Sequence, residues 1–192
     1  MRKLKLQVQI SVDGFIEVPN GEMDWLVWNW DNKVWNWDDK LKTYINELTN
    51  SVDTILLGRK MTEGFISHWS SVKPDNPPYP FAKKMLEKPK IVFTKTLNKS
   101  EWENTVLAKG DLADEINKLK NQNGKDMIVY GGATFDSSLI RAGLIDEFYL
   151  FVNPAALGKG LSIFKSRQNL KLMKSISFDC GIVLLHYEPK RL

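Results

Sequence analysis

Twice in this chain a short apolar run ends at glycine and is followed by a stretch of helical character: LLGRKMTEGF at 56–65 and IVYGGATF at 128–135. An apolar run of that length, stopped by glycine, reads as a buried strand, and strand-to-helix pairs of this kind belong to α/β sheets with helices packed on them. A strand that hands its chain to a helix N-terminus presents backbone N–H groups without intrahelical acceptors, together with the positive end of the helix dipole. Such a place attracts phosphate. Glycine there lets the backbone come close to a ligand. Two such turns, the first carrying Arg59 and Lys60, point to a dinucleotide held by its phosphates.

The rest of the chain fits this pattern. Residues 4–12 alternate as a first strand, with Leu4, Leu6, Val8 and Ile10 on one side. A long loop runs from Asp13 to about Trp37. Asp38 is placed to cap a helix over 39–50, whose face is Leu41, Tyr44, Ile45 and Leu48. Residues 53–57 are a strand, and a helix over 59–66 follows Gly58. SVKPDNPPYP at 71–80 is a proline-rich loop, leading to a short helix in FAKKMLEK. Strands are expected at 90–94, 105–109, 126–130 and 145–152, with helices at 112–121, capped by Asp111, and from Gly131-Gly132 to about Arg141. KLMKSISFD and IVLLHYE, on either side of Cys180-Gly181, form an antiparallel hairpin. The expected architecture is a mostly parallel α/β sheet with an antiparallel edge, in one domain spanning 1–192.

Composition narrows the functional classes. No run is long and apolar enough to span a membrane, and MRKLKLQVQIS lacks the unbroken apolar core of a signal peptide, so a cytoplasmic setting is expected. Cys180 is the only cysteine, which rules out an intrachain disulfide. The net charge is +4, but basic residues are scattered among acids, which describes a solvated surface and not a nucleic-acid footprint. His68 and His186 stand apart without metal-ligand spacing, so no catalytic metal is expected. His68 is expected in a loop, and His186 as a structural residue of the last strand.

Four segments carry the candidate chemistry. Gly58, Arg59, Lys60 and Thr62 offer N–H groups, a hydroxyl and two cations to phosphate. Thr94 and Lys95, at a strand's C-terminal end, are placed to hold a 2′-phosphate together with Arg59. Gly131, Gly132, Ala133 and Thr134 form the second turn, which is not the GxGxxG fingerprint. The loop 13–37 holds five of the seven tryptophans, Trp25, Trp28, Trp30, Trp35 and Trp37, with Asp13, Asp24 and Asp31 nearby. Most of these tryptophans are expected to pack on the core or in a dimer interface, with Trp25 singled out as a ligand contact.

SVDGFI at 11–16, MDWL at 23–26, LLGRKMTEGF at 56–65, IVFTKTL at 91–97 and IVYGGATFDSSLIRAGLIDEFYLFVNPAALGKG at 128–160 together resemble the dihydrofolate reductase-like superfamily. Within it, the chain is most similar to the reductase domain of riboflavin-biosynthesis proteins and its stand-alone relatives. The resemblance implies a three-layer fold, a twisted, mostly parallel sheet flanked by helices with a C-terminal antiparallel hairpin. It implies NADPH as cofactor and a homodimer. The two glycine turns become the pyrophosphate sites, and Thr94 and Lys95 part of the 2′-phosphate site. Ile16 matches the loop residue beside the nicotinamide, and Trp25 a tryptophan at the junction of cofactor and substrate. Riboflavin reductases place a substrate-binding glutamate where this chain has Tyr130, and their Asp-Asp-Pro segment is replaced by ISHWSSVKP. The acidic residue in the first helix of dihydrofolate reductases is also missing, Glu47 being poorly placed. The function implied is an NADPH-dependent reductase of a small planar heterocycle, pterin-like or pyrimidine-like. Trp25, Asp24 and Tyr130 are the substrate-side candidates, and Asp24 is the candidate proton donor. The alternative is a nucleotide-binding module of the same fold that does not catalyse.

Overall fold

A computed structural model of the chain describes residues 1–27 and 37–190. Strands β1 (Leu4–Ser11), β2 (Val52–Gly58), β3 (Lys90–Phe93), β4 (Thr105–Ala108), β5 (Asp126–Val129), β6 (Glu147–Asn153), β7 (Leu170–Ser177) and β8 (Val183–Pro189) form one sheet in the order β4-β3-β2-β5-β1-β6-β8-β7. Neighbours from β4 to β6 are parallel. β8 runs antiparallel to β6, and β7 to β8, which makes the expected antiparallel edge.

Helices cover both faces. On one lie α1 (Asp39–Asn50), α2 (Arg59–Ser71) and α3 (Tyr79–Glu87), packed through Leu41, Ile45, Phe65, Trp69 and Met85 against Ile55, Leu57, Ile128 and Phe151. On the other lie α4 (Leu112–Lys120) and α5 (Ala133–Arg141), which bring Ile116, Leu139 and Ile140 onto Leu4, Leu6, Leu56 and Val129. Alternate residues of one strand therefore feed two separate apolar layers, as a period of two requires.

Local chemistry sets the helix ends. Asp38 caps α1 by accepting from the Leu41 N–H, and Asp111 caps α4 by accepting from Ala113 and Asp114. α2 runs past the expected end at 66, because the buried stripe of Thr62, Phe65 and Trp69 continues at helical spacing; it stops before Lys73-Pro74. His68 is therefore a helix residue and not a loop residue. It is half-buried, its ring lies edge-on to Trp69, and burial holds its pKa down at about 4. The hairpin turns over Asp179–Gly181, with Phe178 N–H donating to Ile182 O and Gly181 at φ +94°. That is the three-residue loop whose last position favours glycine.

β1 is the central strand with the least expected surroundings. It lies between β5 and β6, so helices cover its polar side as well as its apolar one. Lys5, Gln7 and Ser11 are all more than nine-tenths buried.

Candidate active site

β2 and β5 are adjacent and parallel, so both strand-to-helix turns leave the sheet at the same end. Gly58 is the N-cap of α2 and Gly132 the N-cap of α5, and no side chain caps either helix. Their first N–H groups thus have no acceptor from the helix or from a capping side chain. The two turns are fastened together by Gly58 N–H donating to Gly131 O at 3.1 Å. Gly131 has φ +118°, and the Gly131–Gly132 peptide is cis. Two uncapped helix N-termini side by side are suited to a pyrophosphate.

The glycines serve different ends. A Cβ on Gly58 would lie 2.8 Å from Phe135 Cβ, so here glycine is required for the packing of α5 against β2 and not for the approach of a ligand. A Cβ on Gly132 would meet only Met61 Cβ, at 3.7 Å. Arg59 and Lys60 are exposed on the first turn of α2. Thr62 corrects the sequence reading: it is fully buried and its hydroxyl donates back to Gly58 O at 3.1 Å, shaping the turn instead of reaching out of it. Thr134 is exposed and Ala133 partly covered at the start of α5.

Thr94 and Lys95 follow β3 next to β2, at the same end of the sheet. Thr94 is buried and its Oγ1 accepts from the N–H groups of Thr96 and Leu97. Lys95 Nζ donates to the carbonyls of Lys109 and Gly110. Both side chains thus hold the loop between β3 and β4 and the start of α4, which leaves Arg59 and Lys60 as the exposed cations of the first turn.

The loop after β1 is laced to the loop after β6. Ile16 N–H donates to Leu161 O, and Leu161 N–H to Glu17 O. Asp13 accepts from the Ser11 hydroxyl and from the N–H groups of Leu157 and Gly158, and these bonds hold its pKa down at about 2. Asp13 is a structural clamp that fastens the loop after β1 to the loop after β6. Asp24 is exposed and has no hydrogen-bond or ion-pair partner among the described residues. Trp25 is half-buried, and its Nε1–H is buried without an acceptor. Trp37 belongs to the apolar core. Trp28, Trp30, Trp35 and Asp31 lie outside the described residues.

Tyr130 lies between β5 and Gly131 and faces α1 and α2. Its hydroxyl is 3.3 Å from Thr49 Oγ1, its ring stacks on Phe65, and burial pushes its pKa up to about 12. It is a neutral hydroxyl at the position where the resemblance implies a glutamate. On the neighbouring strand β1 lie Gln7 and Gln9, which the sequence reading did not single out. Polar residues alternating along a strand read as its solvated side, and only the strand's central position reveals them as covered. Asp136, in the first turn of α5, was missed for a similar reason: its carboxyl is fully buried without a partner, and burial pushes its pKa up to about 8.

Residues 2–184 match the RibD C-terminal domain. The chain belongs to this family. The uncharacterized protein YyaP of Bacillus subtilis is 33% identical over 193 residues, covering 97% of this chain and 94% of that one. The uncharacterized protein YwjB of the same organism is 27% identical and covers 97% of each. A putative riboflavin biosynthesis protein from Shewanella superposes with a TM-score of 0.74 at 23% identity over the whole of both chains. The Thermotoga maritima diaminohydroxyphosphoribosylaminopyrimidine deaminase/5-amino-6-(5-phosphoribosylamino)uracil reductase gives 0.67 at 19%, this chain matching 57% of that one. At these identities the structural likeness concerns the fold: a mostly parallel sheet with its C-terminal antiparallel hairpin. Among the described residues, no helix is long and apolar enough to cross a membrane.

Proposed function

We propose that this chain is an NADPH-dependent reductase of a small planar heterocycle, pterin-like or pyrimidine-like. The observation that carries the reading is the pairing of the two uncapped helix N-termini through Gly58 and Gly131, with Arg59 and Lys60 exposed beside them. The residues present fit the cofactor: uncapped N–H groups would hold the pyrophosphate, the exposed cations the 2′-phosphate, and Ile16, on a clamped loop, is the residue assigned to the nicotinamide by the resemblance. When bound, NADPH supplies a hydride. The chain's own contribution is to orient the two rings and to exclude water, with the half-buried Trp25 at their junction. Proton delivery is assigned to solvent or to Asp24, the exposed carboxylate of the loop after β1. A homodimer, which rests on the resemblance, and a cytoplasmic setting, which rests on the N-terminal pattern and the single cysteine, belong to the same proposal.

A second reading is a nucleotide-binding module without turnover. Tyr130 in place of the substrate-binding glutamate supports it. The test of both begins with titration of NADPH and NADH, followed by tryptophan fluorescence. Tight NADPH binding with weak NADH binding is expected, and turnover on a panel of heterocycles then separates the two readings. No binding of either nucleotide would overturn both.

A further inference from the structure

Asp136 stands in the first turn of α5 with its carboxyl fully buried and both oxygens unpartnered. Buried polar groups are normally bonded, so the exceptions are informative. Its neighbours are committed elsewhere. Ser137 Oγ donates to Ile163 O, and Ser138 Oγ to Thr134 O. The N–H groups of Phe135 and Asp136 both donate to Gly132 O, while those of Ala133 and Thr134 have no acceptor among the described residues. The carboxyl is turned toward the second glycine turn: a Cβ on Gly131 would lie 3.6 Å from Asp136 Oδ2 and meet nothing else within 4 Å.

No charge compensates it. Lys5 of β1, Asp53 of β2, Asp126 of β5 and Glu147 of β6 all lie at the opposite end of their strands. α4 brings Ile116 and Lys120 to this layer, and Lys120 is paired with Asp146. Arg59, Lys60 and Glu63 of α2, Lys159 and Lys165 of the loop after β6, and Arg141 at the far end of α5 are exposed, and none forms an ion pair with Asp136. Burial accordingly pushes its pKa up to about 8.

The neutral acid leaves the positive end of α5 available to an external anion. Its ionised form would put a negative charge under the same turn, in surroundings that screen weakly.

We propose that Asp136 is a proton-linked gate on the paired glycine turns: as an acid it leaves the N-terminus of α5 open to a ligand's phosphate, and as a carboxylate it repels that phosphate. This regulation rests on the reading that the cofactor's phosphates bind at these turns. Linkage makes the coupling reciprocal, so a bound phosphate holds the proton on Asp136 more firmly. Affinity is then full where the acid is intact, falls as pH rises through its ionisation, and is accompanied there by proton uptake on binding.

NADPH titrations at neutral and alkaline pH, followed by tryptophan fluorescence, test this on wild type and Asp136→Asn. Wild-type affinity is expected to fall about tenfold from about pH 7 to about pH 9, and the variant's to stay within about twofold. The ligand does not titrate in that window, since phosphate monoesters lose their second proton near about pH 6. Lys90, which burial brings down to about 8, lies where β3 begins, at the other end of the sheet, and the variant keeps it. Calorimetry of wild type in two buffers of different ionisation enthalpy should show uptake on the order of half a proton per NADPH at about pH 8. That measurement decides alone should Asp136→Asn fail to fold. Equal falls in the two proteins, or no proton uptake by wild type, would overturn the gate. Failure of NADPH to bind at either pH would instead sink the reductase reading. Inorganic pyrophosphate, titrated in the same way, would then decide on the gate: the same alkaline loss supports it, and pH-independent binding or none overturns it.

Discussion

Gly58 donates its backbone N–H to the carbonyl oxygen of Gly131 at 3.1 Å, and the position a Gly58 side chain would occupy is already held by Phe135 of α5. The two glycine turns are therefore one mechanical unit. Whatever displaces one of them displaces the other.

Gly58→Ala is expected to destabilise the fold by about 1–3 kcal/mol, since the new Cβ has no room beside Phe135 and the backbone must shift. NADPH affinity should fall with it. Gly64→Ala is the control: nothing lies within 4 Å of its Cβ, and it sits inside α2. That change should stabilise by about 0.5–1 kcal/mol. Urea denaturation of both variants reads the difference, and equal effects would contradict the packing account.

Arg59→Ala is expected to weaken NADPH by about tenfold and NADH by much less, because the guanidinium is assigned to the phosphate that only NADPH has. Fluorescence titration of the variant with both nucleotides checks this. Equal losses would remove Arg59 from the 2′-phosphate site.

Asp38 joins two distant segments, accepting from Leu41 N–H at the start of α1 and from Cys180 N–H in the β7–β8 turn. Burial works against its charged form, but these hydrogen bonds prevail and its pKa lies below the ordinary carboxylate value. A depressed folded-state pKa contributes stability that is present above the unfolded value and lost as pH falls through the folded one. Asp38→Ala should cost about 1 kcal/mol at neutral pH. The gap between variant and wild type should close below about pH 4. Denaturation curves at neutral and acid pH test both statements.

Asp136 has the opposite sign. Its folded-state pKa, raised by burial to about 8, means that the folded chain keeps a proton that the unfolded chain releases near 3.8. Stability should therefore fall as pH rises from about 4 to about 8, on the order of 1 kcal/mol per pH unit from this group. Asp136→Asn removes the titration, so its stability should depend less on pH across that window. Parallel slopes for the two proteins would show that the carboxyl is solvated or paired in solution.

What the sequence determined by itself is local. Asp38 and Asp111 cap helices a few residues away, Gly58 ends β2 and opens α2, Gly132 opens α5 shortly after β5, and Gly181 closes a tight hairpin. Each depends on backbone geometry within one turn of chain, which neighbouring residues specify. What only the tertiary structure decided is which polar atoms are covered and what they meet. β5, late in the chain, inserts between β1 and β2, and that insertion turns the polar side of β1 into a buried wall. The same long-range packing closes Thr62 onto Gly58, turns Lys95 toward the carbonyls of Lys109 and Gly110, and buries Asp136 under Gly131. Periodicity records which side chains share a face; whether that face meets water or another layer depends on strands far away in the sequence.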